Sequence, residues 1–152
     1  MHVVVVGCGR VGSELALSLE RNGHSVAVID KNADAFRKRL PEDFGGQKVV
    51  GFGFDRDHLM EAGIERADAV AAVTSGDNSN ILTARIAREN FSIERVVARI
   101  YDPRRALIYQ RLGISTVATV SWTTDQVMRR LLPAEEQPHE WLDPSGKVCL
   151  LD

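Results

Sequence analysis

The four valines Val3 to Val6 run directly into a glycine-rich segment, Gly7 to Gly12, and this junction restricts the fold more than any other part of the sequence. A continuous β-branched run that stops at glycines is typical of a strand buried on both faces of a parallel sheet. The apolar residues that follow have helical spacing up to a stop signal at Asn22-Gly23, and they are Val11, Leu15, Leu17 and Leu19. The chain therefore opens with a strand, a tight turn and a helix.

The remaining sequence repeats this alternation of strand and helix. The further predicted strands are Ser25 to Ile29, Gln47 to Val50, Ala69 to Val73, Arg95 to Ile100 and Ser115 to Val120. The further predicted helices cover about residues 33 to 40, 56 to 63, 77 to 90, a segment that begins at Pro103, and Thr123 to Leu132. Strands that alternate with helices at this spacing pair in parallel through right-handed crossovers. We therefore predict an α/β fold, a doubly wound Rossmann sheet of six strands in the order 3-2-1-4-5-6.

Length and hydrophobic content limit the chain to one sizeable domain. At 152 residues, with 44% hydrophobic residues, the sequence can supply one buried core, which we place at residues 1–132. Residues 133–152 are predicted to form a linker and a hairpin that either packs on the domain or begins a second one.

A net charge of −2 gives no field that attracts nucleic acid. No segment reaches the roughly 18 apolar residues of a membrane span, so we expect a cytoplasmic protein.

The glycine-rich segment has the spacing of a turn that binds a dinucleotide. Gly7 permits the tight turn, Gly9 leaves room for a pyrophosphate, and Gly12 allows the helix to pack on the strand. The helix N-terminus then offers N–H groups and a partial positive charge to phosphates. Cys8 fits this turn as a small filler. Because strand, turn and helix are in register, nucleotide binding is favoured over a turn that serves packing alone.

Charged residues near this turn narrow the range of nucleotides that we expect to bind. Asp30 ends the second strand about twenty residues downstream, where a carboxylate accepts hydrogen bonds from ribose hydroxyls. Its charge disfavours the 2′-phosphate of NADP, although the neighbouring Lys31 weakens that argument. Arg10 lies in the first helical turn, where contact with phosphate is favoured over a solvated surface position.

The loop after the third strand lies at the same edge of the sheet as the glycine turn. Phe52 or Phe54, on either side of Gly53, could stack on an adenine ring, and the equal alternative is that both fill a corner of the core. Asp55 is predicted to cap the helix that begins at Arg56.

The loop after the fourth strand lies where the strand order reverses, so Thr74 and Ser75 are candidate ligand contacts. Asp77 and Asn78 are predicted mainly to cap the next helix. The apolar face of that helix is predicted to comprise Ile81, Leu82, Ile86 and Ala87. Arg99 lies near the end of a buried strand and must be paired, either with an anionic ligand or with a neighbouring carboxylate.

The histidines and cysteines give no sign of metal binding or of catalysis. His2, His24, His58 and His139 lack metal-ligand spacing and are predicted to lie on the surface or in turns. Cys8 and Cys149 suggest neither a disulfide framework nor a paired-cysteine metal site. Residues 37–39, a short basic run, are predicted to form an exposed helix face.

An ordered set of motifs over about residues 1–132 resembles the N-terminal domain of the Trk-type potassium-uptake regulators, also called the KTN or RCK N domain. The motifs are residues 5–12, Val28-Ile29-Asp30-Lys31, Gly51 to Asp55 with Leu59, Ala62-Gly63-Ile64, Ala67-Asp68-Ala69, Ala72 to Asn80, Ala98-Arg99-Ile100, Asp102-Pro103 and Leu112-Gly113. The turn after the third strand departs from the family pattern Gly-Asp-Gly/Ala-Thr-Asp, because Phe52 and Phe54 replace its polar residues.

This resemblance implies a cytoplasmic regulatory subunit that binds NAD(H) or ATP/ADP and docks on a membrane-embedded potassium transporter or channel without catalysis. It places Gly7, Gly9, Arg10 and Gly12 around the phosphates, Asp30 and Lys31 at the ribose, and Thr74, Ser75 and Arg99 at the mouth. The helix Thr123 to Leu132 matches the family's crossover helix, which implies homodimers assembled into larger rings. The full set of candidate nucleotide-binding residues is Gly7, Cys8, Gly9, Arg10, Val11, Gly12, Asp30, Lys31, Phe52, Gly53, Thr74, Ser75 and Arg99.

Two other functions compete with this interpretation. A fragment of an NAD-dependent dehydrogenase would share the glycine turn, but only a helix, a linker and a hairpin follow the sixth predicted strand here. An assembly platform that binds no nucleotide is the other alternative, and it rests on Phe52 and Phe54.

Overall fold

The computed structural model describes residues 1–117, 127–133, 141–142 and 148–149, and it confirms the predicted sheet. Six parallel strands lie in the order β3-β2-β1-β4-β5-β6. Their bounds are β1 His2–Val6, β2 Ser25–Asp30, β3 Gln47–Val50, β4 Ala69–Ala72, β5 Arg95–Arg99 and β6 Ser115–Val117. Residues 118–120 of the last predicted strand lie outside the described residues.

Helices connect the strands on both faces of the sheet. They are α1 Arg10–Arg21, α2 Ala33–Arg39, α3 Arg56–Glu61, α4 Asp77–Phe91 and α5 Pro103–Arg111, with a short 3₁₀ turn at Ile64–Arg66. A further helix, α6, covers 127–131, whereas 123–126 of the predicted last helix lie outside the described residues. Near the end of the chain, β7 Trp141–Leu142 and β8 Val148–Cys149 pair antiparallel, within the segment predicted as a hairpin.

The core consists of two layers, one on each face of the sheet. Val4 and Val6 of β1 contribute to the layer under α3, α4 and α5. Val3 and Val5 contribute to the opposite layer, with Phe36 of α2. Because successive side chains of a strand point to opposite faces, a strand covered on both faces must be apolar throughout. This explains the unbroken valine run.

The buried faces of α1 and α4 differ from the prediction. On α1 the buried residues are Gly12, Ser13 and Ala16, whereas the leucines are half-buried and Val11 is exposed. On α4, Leu82 is exposed and Thr83 and Ala84 are buried in its place. Small side chains let each helix lie close to the sheet, and the larger apolar residues then cover the margins of the contact. Spacing alone could not identify this preference.

His2 is buried in β1, so its predicted surface or turn position is wrong. Its Nε2 donates a hydrogen bond to the Ala62 carbonyl oxygen at 2.8 Å, and its Nδ1 lies 2.7 Å from the Ser25 hydroxyl. Since a carbonyl can only accept, Nε2 carries a proton. His139 lies outside the described residues, and the basic run 37–39 is exposed as predicted.

Within the part of the chain that the structure describes, no helix combines the length and the apolar character that a bilayer crossing needs.

Candidate functional site

The glycine turn between β1 and α1 has the steric properties that the sequence predicts. Gly7 has φ +108°, and a Cβ there would lie 2.9 Å from the Thr74 amide nitrogen. A Cβ on Gly12 would overlap the Gly7 carbonyl oxygen, so α1 approaches the turn closely because residue 12 has no side chain. Gly9 is different, because a Cβ there would meet nothing within 4 Å. The backbone at Gly9 therefore faces open space.

The N-terminus of α1 is not capped by a described side chain. Gly9 is the N-cap residue, and the first turn contains no acidic residue. The N–H groups of a first helical turn have no partner inside the helix, and they form the positive end of its dipole. By contrast, the side chains of Asn32, Asp55 and Asp102 cap α2, α3 and α5. The helix α4 also begins without a side-chain cap, but its first turn contains the acidic Asp77. The start of α1 thus presents free donors to an anion.

Asp30 joins the end of β2 to this turn. One carboxylate oxygen accepts a hydrogen bond from the Cys8 amide at 2.7 Å, and the other accepts from the Asn32 amide at 2.8 Å. A carboxylate has about four acceptor positions, so it keeps capacity for further donors such as sugar hydroxyls. The sequence predicts a carboxylate here, but not that it also orders the glycine turn.

Cys8 is buried beneath the turn, with its thiol 3.8 Å from the Ala35 carbonyl oxygen. Burial, reinforced by the nearby Asp30 charge, raises the pKa of the Cys8 thiol to about 11. The thiol is therefore neutral near pH 7, so it acts as a filler rather than a nucleophile. Arg10, Val11 and Lys31 are exposed around the same turn, and no ion pair forms between Arg10 and the other described residues.

The turn between β3 and α3 exposes two aromatic rings. Phe52 and Phe54 stack on each other with centroids 5.0 Å apart, and they are 44% and 39% exposed. The alternative that they fill a corner of the core is therefore wrong. Gly53 occupies that corner instead, since a Cβ there would lie 2.8 Å from the Thr83 hydroxyl and would overlap Val6. As predicted, Asp55 caps α3 by accepting from the Asp57 and His58 amides.

Asn80, which sequence reasoning missed, holds the ends of β4 and β5 together. It is fully buried, and its Oδ1 accepts from the Thr74 amide at 2.8 Å and the Thr74 hydroxyl at 2.7 Å. Its Nδ2 donates to the carbonyl oxygens of Thr74 and Arg99 at 2.9 and 2.8 Å. The available signal was an amide side chain at the same helical spacing as the buried Ala84 and Ala87.

Asp77 and Asn78 do not cap α4, so that prediction is wrong. The N-cap residue is Gly76, and Asp77 is already the first residue of the helix. From that position its carboxylate reaches the neighbouring loop, where it accepts from the Tyr101 amide at 2.7 Å and the Asp102 amide at 3.1 Å. Asn78 accepts a hydrogen bond from Arg105. The loop that carries Thr74 and Ser75 is thereby fixed to the loop after β5.

Arg99 is the last residue of β5 and is half-buried. Its guanidinium donates to the Tyr101 hydroxyl at 2.8 Å and lies 5.2 Å from the centre of that ring. No carboxylate among the described residues forms an ion pair with it, so the predicted carboxylate partner is not found there. A phenol leaves the positive charge uncompensated, and an anion at this edge of the sheet would be attracted to it.

All the candidate residues follow or end strands of one parallel sheet, so they lie at its carboxyl edge. The glycine turn follows β1, Asp30 ends β2, the aromatic pair follows β3, Thr74 follows β4, and Arg99 ends β5. The site therefore combines free N–H donors, a carboxylate, exposed rings and an arginine.

Sequence comparison identifies relatives of this chain. Residues 3–120 match the family model described as the TrkA-N domain. The chain is 63% identical over 152 residues to the Trk system potassium uptake protein TrkA of Streptomyces coelicolor, covering 100% of this chain and 67% of that protein. It covers less of other relatives, for example 60% of a TrkA homolog from Methanothermobacter thermautotrophicus, 32% identical over 132 residues, and 22% of the TrkA of Vibrio alginolyticus, 34% identical over 103 residues.

Solved structures share the fold. The Kef CTD of Shewanella denitrificans, in its AMP-bound form, superposes with a TM-score of 0.68 at 20% identity and covers 86% of this chain and 79% of that one. The GsuK channel bound to NAD superposes with a TM-score of 0.65 at 21% identity, over 85% of this chain and 22% of that one. At these identities the likeness concerns the fold alone. On the family match and the Streptomyces relative, the chain belongs to the TrkA-N domain family.

Proposed function

We propose that this chain senses an adenine nucleotide, NAD(H) or ATP/ADP, as part of a cytoplasmic regulatory subunit of a membrane-embedded potassium transporter or channel. The observation that carries the proposal is the uncapped N-terminus of α1, which opens at Gly9 beside the Asp30 carboxylate. Free helix donors next to a carboxylate suit a ligand that carries both phosphates and a sugar.

The residues at this edge fit the parts of such a nucleotide. Phosphates would accept from the N–H groups around Gly9, with Arg10 beside them. The ribose hydroxyls would donate to Asp30, whose charge also disfavours a 2′-phosphate, and we therefore expect NAD(H) to be preferred to NADP(H). The exposed Phe52–Phe54 pair would stack on adenine, because a flat aromatic surface binds any base without hydrogen bonds.

The comparisons supply the regulatory context. The name of the Streptomyces relative is that of a potassium uptake protein, and two proteins of this fold have been solved with AMP and with NAD. The dehydrogenase alternative has no such support from the family match. For regulation, the nucleotide must bind two conformations of the protein with different affinity, because only that difference shifts an equilibrium.

Self-association of the chain would transmit the difference between the two conformations from one copy to another. The helix α6 at 127–131 carries three exposed apolar residues, Val127, Met128 and Leu131, the last of which is 73% exposed. Exposed apolar side chains on one helix favour burial against a partner. We propose that two copies pair through the segment 123–132 and that such dimers assemble into a ring.

The test is calorimetric titration of the purified chain with NAD, NADH, ATP, ADP and NADPH. We expect binding of an adenine nucleotide, and Asp30→Ala should weaken it by roughly tenfold, about 1.4 kcal/mol, if the ribose contact forms. Asp34→Ala is the matched control, because Asp34 is an exposed carboxylate that pairs with Arg37 on α2. Absence of binding by all five nucleotides would overturn the proposal and leave the assembly platform.

A further inference from the structure

His58 lies on α3 directly beneath the turn that carries the exposed aromatic rings. Its Nδ1 accepts a hydrogen bond from the Phe52 amide at 3.1 Å. An amide can only donate, so the imidazole uses Nδ1 as an acceptor and carries its proton on Nε2. The turn is also anchored at its start, where the Gly51 amide donates to the Asp30 carbonyl oxygen at 3.0 Å.

The imidazole and the turn are closely fitted. A Cβ on Gly51 would overlap the His58 ring, so the backbone of Gly51 lies against the imidazole with no space for a side chain. His58 is itself held from the other side, because its amide donates to Asp55 at 3.2 Å. The second Asp55 carboxylate oxygen lies 3.8 Å from Nδ1. One side chain thus connects the helix cap to the backbone of Phe52.

The Phe52 carbonyl oxygen also accepts from the Asp55 amide at 3.1 Å, so two backbone hydrogen bonds hold the residue that carries the first of the two aromatic rings. Both rings are exposed and contact each other, and the glycine between them, not a ring, is the part of the turn that enters the core. The backbone of Phe52 therefore determines where the ring pair stands. A ligand that needs the rings in one place binds with an apparent affinity proportional to the fraction of molecules in which they are there.

We propose that His58 is a positioning residue for nucleotide binding. It fixes the Phe52 backbone and thereby holds the stacked rings in the position in which they stack on the adenine base. The inference rests on the proposed function and extends it to a residue that need not touch the ligand. The inference accounts for two features together: the absence of a side chain at Gly51, where a Cβ would overlap the imidazole, and the use of His58 Nδ1 as an acceptor.

Two substitutions at His58 test whether its role depends on the hydrogen-bond acceptor or only on the space that the imidazole fills. In His58→Asn, Oδ1 takes the position of Nδ1 and can still accept from Phe52, whereas His58→Leu fills space without an acceptor. We expect His58→Leu to weaken ADP binding about three- to tenfold, the usual range for one lost hydrogen bond, and His58→Asn to stay within about twofold of the wild type. Gly51→Ala, which displaces the imidazole, should weaken binding as His58→Leu does.

A double-mutant cycle with Phe52→Ala/Phe54→Ala tests whether the effect passes through the rings. If it does, His58→Leu causes no further loss once the rings are absent, because residues in one chain of contacts are not additive. An equal loss with and without the rings overturns the inference. The inference is also overturned if the wild type binds ADP and folded His58→Leu binds it with the same affinity.

Hydrogen exchange of the Phe52 amide gives a readout without a nucleotide. We expect faster exchange in His58→Leu than in the wild type and in His58→Asn, with the Val5 amide of the core strand unchanged in all three. If the Phe52 amide exchanges at the same rate in all three proteins, the inference is overturned and the proposed function is untouched. If the wild type binds no nucleotide, the proposed function falls and this inference falls with it.

Discussion

The Asp30 carboxylate accepts a hydrogen bond from the Cys8 amide at 2.7 Å, which makes the residue proposed to bind the ribose also a structural part of the glycine turn. The two roles require the same charge in the same place. A carboxylate at the end of β2 orders the turn before any ligand arrives, and an ordered turn costs less entropy when a phosphate binds.

Asp30→Ala should therefore reduce stability as well as affinity. It leaves the Cys8 and Asn32 amides without their acceptor, and we expect the free energy of unfolding to fall by about 1–3 kcal/mol. Urea unfolding followed by circular dichroism measures this change. Asp30→Asn keeps one acceptor oxygen and should lose less than Asp30→Ala. Equal stability of Asp30→Ala and the wild type would contradict the structural role.

Gly9 and Gly12 should respond in opposite ways to alanine. At Gly12 the new Cβ overlaps the Gly7 carbonyl oxygen, so α1 must move and we expect a loss of about 1–3 kcal/mol in stability. At Gly9 the new Cβ meets open space, so stability should change by less than about 1 kcal/mol. If phosphates approach there, Gly9→Ala should nevertheless weaken nucleotide binding by roughly tenfold or more. Thermal unfolding and calorimetry on the same two proteins check both expectations.

The sheet order could be predicted from the sequence because it depends on local signals. Alternating strands and helices leave few parallel topologies, and the valine run of β1 identifies a strand covered on both faces. The glycine turn is local too, since Gly7, Gly9 and Gly12 lie within six residues of one another.

What the sequence could not predict depends on contacts between distant segments. His2 is buried because its ring reaches Ala62, which is 60 residues away, and Asp77 turns from its own helix toward Tyr101, 24 residues on. Phe52 and Phe54 are exposed because Gly53 lies against Val6 and Thr83. None of these partners can be identified from spacing in one segment, so the alternatives there could not be decided.

Asn80 should be highly sensitive to substitution, because it is a polar residue buried in the core. Asn80→Ala removes the partners of four hydrogen bonds at a fully buried position, and we expect a loss of about 2–4 kcal/mol in stability. Asn80→Asp should be at least as harmful, because a carboxylate would face the Thr74 and Arg99 carbonyl oxygens that Nδ2 now serves. Chemical denaturation gives both values. The exposed Asn78→Ala is the control and should change stability by less than about 1 kcal/mol.

Cys8 should make the protein sensitive to alkaline pH. Burial raises the pKa of its thiol from 9.0 to about 11 in the folded chain, so the unfolded state releases its proton first as the pH rises. The contribution is fully present below pH 9 and is lost progressively as the pH rises through 11. We expect the wild type to lose more stability than Cys8→Ala over this range, by an amount on the order of 1–3 kcal/mol. Parallel pH-dependent unfolding curves for the two proteins would contradict the assignment.

The end of α4 contains a strained residue whose relief should stabilise the fold. Ser92, the C-cap residue, has φ 56° and ψ 32°, a left-handed conformation that favours glycine. Ser92→Gly should raise the free energy of unfolding by about 0.5–1 kcal/mol, since glycine adopts this conformation without the steric cost of a Cβ. The same replacement at Ser79, inside α4, should lower stability by about 0.5 kcal/mol, because glycine there loses more backbone freedom on folding. Thermal unfolding distinguishes the two, and a Ser92→Gly protein that is less stable than the wild type would contradict the left-handed assignment.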